Sequence, residues 1–109
     1  MKISADVSRD LDISPQDLVI VIANLFENAV NAAQKLKMEN KIINISIRER
    51  ERRLLIRIEN PCREKMSFDE SLHGIGIRSV IAATNKYEGM YDFSAENGIF
   101  SAKISLNLK

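Results

Sequence analysis

Two stripes on one long helix constrain this chain more than any other feature of its sequence. Ser14-Pro15 marks the helix start: Ser14 can cap, Pro15 suits the first helical position, and Asp17 favours the positive helix end. The pattern predicts a helix to about Met38, before the polar Glu39-Asn40-Lys41 break. At about 100° per residue, Leu18, Ile22, Leu25, Ala29, Ala32 and Leu36 fall in one narrow band, with Val21 and Phe26 on its flanks. That band is expected to lie buried on a sheet. Asn24, Asn28, Asn31 and Lys35 form a second band, roughly 110° from the first.

Three asparagines inside a helix need a reason, because the Asn amide competes for backbone hydrogen bonds. One reading is a wettable helix border. The other is the edge of a pocket, where neutral amide oxygens ligate a hard cation such as Mg²⁺ without repelling phosphates. The stripe alone does not choose between them.

His73-Gly74-Ile75-Gly76-Ile77 stands directly before a second predicted helix, Ile77 to about Lys86. Its glycines permit close backbone approach, and a helix start offers free N–H groups and a positive dipole end. The turn reads either as a tight loop-to-helix connection or as a phosphate cradle. It is neither a dinucleotide fingerprint nor a Walker A loop, since the third glycine and the Gly-Lys-Ser/Thr sequence are missing. His73, the one histidine, is in turn either structural or a ligand contact.

The remaining segments alternate. Lys2–Ile13 contains a short strand, and Ile42–Arg48 carries Ile43, Ile45 and Ile47 on one face. Glu49–Arg53 reads as a solvated hairpin turn, after which Leu54–Ile58 pairs back antiparallel until Asn60-Pro61 ends it. Cys62–Leu72 is a polar loop, and Met90–Ala95 with Ile99–Leu108 forms a hairpin turning at Glu96-Asn97-Gly98. This order implies an α+β domain over residues 1–109, with helices layered on one face of a mixed, mostly antiparallel sheet.

Sixteen basic against fifteen acidic residues leave a net charge of +1, which argues against a general nucleic-acid binder. The single cysteine, Cys62, cannot form an internal disulfide and reads as an inert, partly buried thiol in a reducing compartment. No apolar run reaches the roughly 20 residues of a membrane span, and MKISADVSRD lacks a signal-peptide core. A soluble cytoplasmic domain without membrane contact is expected, compatible with a piece of a longer membrane protein.

Together the helix and the turn resemble the gyrase, heat-shock chaperone, histidine kinase and MutL (GHKL) ATPases. Asn24-Leu25-Phe26-Glu27-Asn28-Ala29 is similar to that family's N-box, and His73-Gly74-Ile75-Gly76-Ile77 to its second glycine box. Ile58-Glu59-Asn60-Pro61 stands where the first box belongs. The likeness is strongest to catalytic ATP-binding domains of quorum-sensing kinases of the accessory gene regulator type. It implies the Bergerat α/β sandwich with ATP and Mg²⁺ as cofactors. Asn28 would match the Mg²⁺-ligating asparagine. Asn24 replaces the glutamate that activates water in hydrolytic members, which fits phosphoryl transfer, so Asn24 and Asn28 are the expected catalytic residues. Asn31 stands where many of these kinases place a lysine near the phosphates. Gly74, Ile75, Gly76 and Ile77 would bring backbone to the phosphates, with His73 and Arg78 as charge partners and Cys62–Leu72 as the ATP lid. The usual Asp-x-Gly-x-Gly box is absent, and Asn60 occupies the adenine-reading position with neutral rather than charge-assisted strength.

The resemblance implies the ATP-binding half of a membrane-bound sensor histidine kinase. It would transfer the γ-phosphoryl to a histidine on a separate dimerisation domain, and thence act with a response regulator. A stand-alone anti-sigma-type serine kinase module and a degenerate fold serving only as an interaction domain are the alternatives.

Overall fold

The computed structural model describes residues 2–6, 13–34, 43–61 and 75–108. They form β1 (Lys2–Asp6), α1 (Pro15–Gln34), β2 (Asn44–Arg50), β3 (Arg53–Pro61), α2 (Ile75–Lys86), β4 (Met90–Glu96) and β5 (Ile99–Asn107). The strands make one sheet in the order β1-β2-β3-β5-β4. β1 runs parallel to β2, which requires a crossover that α1 supplies, and every other pairing is antiparallel. The sheet is mixed and mostly antiparallel, as the element order implied.

Period-two alternation decides which face is buried. Leu54, Ile56, Ile58 and Asn60 of β3 face the helices, opposite Leu106, Ile104, Ala102 and Phe100 of β5, and all eight are essentially buried. Full burial of each large aliphatic here stabilises the fold by about 1.5–3 kcal/mol. Arg53, Leu55, Arg57 and Glu59 point the other way.

α1 packs on β3 and also on α2. Val21, Leu25 and Ala29 are buried, while Leu18, Ile22 and Phe26 are partly buried. The buried band is therefore centred nearer Val21 than the helical wheel alone placed it, because the second helix covers that flank. α2 contributes Ile77, Val80 and Ala83, with the buried Thr84 hydroxyl donating to the Val80 carbonyl at 2.8 Å.

Some of these boundaries differ from expectation. β3 continues through Pro61, which still pairs with Ile99 of β5. Pro61 lies beyond the described β2–β3 ladder, whose last pair is Asn44 with Glu59, a strand-end position of the kind proline tolerates. α2 begins at Ile75, drawing Gly76 into its first turn. The expected helix tail to Met38, the Cys62–Leu72 loop, His73 and Gly74 lie outside the described residues.

Both hairpins close on two residues with positive φ, the geometry that matches strand twist. Asn97 (53°) and Gly98 (76°) suit it, whereas Glu51 (50°) and Arg52 (62°) adopt it at a cost of about 1–2 kcal/mol per residue. No helix among the described residues is long and apolar enough to cross a membrane.

Candidate functional site

Asn60 is the last helix-facing residue of β3 and is only 1% exposed. Its Nδ2 donates to the Pro61 carbonyl at 3.0 Å, while its Oδ1 is buried with no partner. A buried acceptor left unpaired costs about 1–3 kcal/mol, a cost that a donor from a ligand would remove. The other unpaired buried side-chain atom among the described residues, Ser101 Oγ, lies on the opposite face beside Glu59 and Ser94.

α1 lies over the strand that ends at Asn60 and brings Asn24 and Asn28 to half-buried positions. Asn24 Nδ2 donates to the Ile20 carbonyl one turn back at 2.7 Å. That bond accommodates a polar residue in mid-helix and uses one of the two amide N–H groups, so a ligand can meet Oδ1 and the second N–H. Asn28 makes no recorded side-chain hydrogen bond among the described residues, leaving its amide oxygen for a cation. At Asn31 only the helical backbone is described.

The start of α2 supplies the third component. The first helical N–H groups, at Ile75, Gly76, Ile77 and Arg78, have no partner within the helix. No acidic residue occupies this first turn, and the exposed Arg78 adds a cation where the dipole already disfavours one. Both facts make the turn receptive to an anion. The Ile77 side chain belongs to the core, so at that position only the backbone can face a ligand. α1 packs against both the strand ending at Asn60 and the helix starting at Ile75. It thus links an acceptor for an amino group, two neutral amide oxygens and an anion-receptive helix start.

A contact set with no local signature in the sequence fixes the two helices relative to each other. Asp17, in the first turn of α1, accepts from Lys86 Nζ at 2.8 Å and from Tyr87 Oη at 2.6 Å. Tyr87 Oη also accepts the Ser14 backbone N–H at 3.0 Å. These bonds, Lys86 first and Tyr87 second, hold the Asp17 carboxyl below its ordinary range. Asp17 in turn raises both Lys86 and Tyr87.

A family model described as the GHKL domain matches residues 13–107. No curated protein matches by sequence. Among solved structures, the Acinetobacter baumannii histidine kinase AdeS is similar, with a TM-score of 0.74 and 16% identity over 99% of this chain and 55% of that one. The histidine kinase domain of the Erythrobacter litoralis blue-light-activated kinase gives a TM-score of 0.77 and 12% identity, covering 98% of this chain and 51% of its own. The catalytic domain of histidine kinase ThkA gives 0.74 and 14%, with 96% and 76% covered. The chain thus spans about half the length of the first of these relatives, and at such identities the likeness is one of fold. With the family model covering nearly the whole chain, this protein belongs to the GHKL family, a membership that implies nucleotide binding, and its fold is that of histidine kinase catalytic domains.

Proposed function

We propose that this domain binds Mg-ATP and, in a longer sensor kinase of the accessory-gene-regulator type, presents the γ-phosphoryl to a histidine on a separate dimerisation domain. The observation that carries the reading is the buried, unpaired Oδ1 of Asn60. The unpaired atom is an acceptor, which fits the exocyclic amino group of adenine and would face the carbonyl of guanine as a second acceptor.

The other residues take roles consistent with their surroundings. The N–H groups at the start of α2 and the Arg78 guanidinium hold the phosphates. Mg²⁺, met by the Asn28 amide with water and phosphate oxygens, would supply charge neutralisation. Asn24 cannot take a proton from water near neutral pH, so it favours transfer to an acceptor over hydrolysis. His73, Gly74, Ile75, Gly76 and Asn31 complete the site as the family resemblance implies. The parent protein would pass the phosphoryl group on to a response regulator in the cytoplasm.

Calorimetric titration with ATP and GTP, each with and without Mg²⁺, tests the reading. ATP should bind and GTP should not, with Mg²⁺ dependence lost in Asn28→Ala. The isolated chain should not label itself, because the acceptor histidine is elsewhere; label on His73 would sink the assignment. Absence of ATP binding at millimolar concentration would leave only the interaction-domain reading, and transfer to a partner's serine would favour the anti-sigma type.

A further inference from the structure

On the face of the sheet turned away from the helices Arg48, Arg50, Arg53, Leu55 and Arg57 are exposed, and the charge is uneven. The registers place Arg48 opposite Leu55 and Arg50 directly opposite Arg53 at the end of the β2–β3 hairpin. Like charges set directly opposite each other destabilise a sheet. Neither recorded ion pair among the described residues involves Arg48, Arg50 or Arg53. Farther along the same face the cations are matched. Arg57 Nε pairs with Glu59 Oε1 at 2.6 Å, and Lys103 stands opposite Asp92.

Beside these arginines the face is hollowed over about 700 Å³. Four cations line the hollow (Arg48, Arg53, Arg57 and Lys103) against two acids (Glu59 and Asp92). Its floor and rim include Leu55 and Met90, both exposed, the latter 73%. This basic, partly apolar concavity lies on the face of the sheet opposite to Asn60, away from the nucleotide site proposed above.

We infer that this open face docks an acidic, partly apolar segment of a partner protein, its carboxylates meeting Arg48, Arg50 and Arg53 and an apolar side chain resting on Leu55 and Met90. Charge complementarity selects this occupant. Glu59 and Asp92 within the hollow would repel a uniform polyanion such as an anionic membrane or a nucleic acid, while a protein segment can place neutral or basic groups opposite them. A second copy of this chain would double the uncompensated positive charge. Arg–carboxylate pairs formed in such a contact are bidentate and directional, which a triad of arginines is suited to exploit.

The whole domain, isotopically labelled, is titrated with a fluorescein-labelled peptide of alternating Glu and Leu. Saturable binding is expected, with amide shifts confined to β2, β3, β4 and β5 and weakening with salt. The Arg48→Gln/Arg50→Gln/Arg53→Gln variant should bind about tenfold more weakly or worse, and Met90→Ser should weaken binding without touching any charge. Because it relieves the Arg50–Arg53 repulsion, Arg50→Gln alone should melt a few degrees higher, which separates lost binding from lost folding. ATP affinity should stay unchanged in all of these variants. Unchanged peptide affinity in the triple variant would overturn the proposal. So would tighter binding of phosphatidylserine–phosphatidylcholine vesicles or duplex DNA to this face, or dimerisation through it.

Discussion

Tyr87 Oη donates a 2.6 Å hydrogen bond to Asp17 Oδ2 and thereby ties the end of α2 to the beginning of α1. The helix that carries Asn24 and Asn28 is thus locked at its base to the helix whose other end is the phosphate candidate. The bond crosses 70 residues of chain and joins two elements that a sheet alone would leave free to slide.

This tie sets a pH window. Asp17 is held below its ordinary 3.8, so its contribution is fully present above that value and is lost as the pH falls through the lowered one. Lys86 and Tyr87 are raised above 10.5 and 10.0, so theirs are present below those values and lost as the pH rises through the raised ones. The difference in urea midpoint between the wild type and Asp17→Asn should be constant near neutrality and should shrink below about pH 4 and above about pH 10. Tyr87→Phe should lower the melting temperature by a few degrees. A difference independent of pH would show that the tie adds nothing to stability.

The end of α2 predicts opposite effects at adjacent positions. Glu88 takes the left-handed conformation (φ 52°), donating its N–H to Asn85, while Gly89 donates to Thr84 at 2.9 Å. The helix therefore closes as a Schellman motif with glutamate at the glycine position. Gly89 is needed for another reason: a Cβ there would lie 1.9 Å from the Ser105 carbonyl oxygen, a backbone atom that cannot turn aside. Glu88→Gly should stabilise by about 0.5–1 kcal/mol, and Gly89→Ala should destabilise by about 3 kcal/mol or more. Denaturation midpoints of the two variants check the signs.

Which parts of this were legible beforehand follows from how local each cause is. The alternations Ile43-Ile45-Ile47 and Leu54-Ile56-Ile58 are local, and a strand lies at each, although β2 runs Asn44–Arg50 rather than from Ile42 to Arg48 and leaves Ile43 outside it. Val21 falls on a flank of the helical wheel because a wheel shows one helix and not the second one packed beside it. Glu88-Gly89 reads as a helix end, but which of the two is left-handed depends on Ser105, far along the chain. The run Glu49–Arg53 reads as a solvated turn, and only the strand register sets Arg50 against Arg53. Asn24, Asn28 and Asn60 were legible through motif resemblance; the unpaired Oδ1 of Asn60 required knowing its burial.

Asn24 should show stability and function moving in opposite directions. Alanine is the better helix former, and the Asn24 bond to Ile20 merely repeats an acceptor already used by the helix ladder. Asn24→Ala is expected to leave stability unchanged or raise it by up to about 0.5 kcal/mol. Phosphoryl transfer in the assembled kinase should fall. A variant that transfers normally would remove Asn24 from the site.

Asn60→Asp separates the pocket's cost from its use. The introduced carboxylate would face the Pro61 carbonyl, to which Nδ2 now donates at 3.0 Å, and would be as buried as the amide it replaces. Burial beside an acceptor favours the protonated acid and raises its pKa in the folded state. Stability would then be retained at low pH and lost as the pH rises through that raised value. The nucleotide-free variant should be about 1–3 kcal/mol less stable than wild type at neutral pH, with the deficit narrowing toward pH 5. Adenine's amino group would donate to the carboxylate and offset part of the deficit, so saturating ATP should raise the melting temperature of the variant more than that of the wild type. Equal shifts in the two proteins would mean that the base does not meet residue 60.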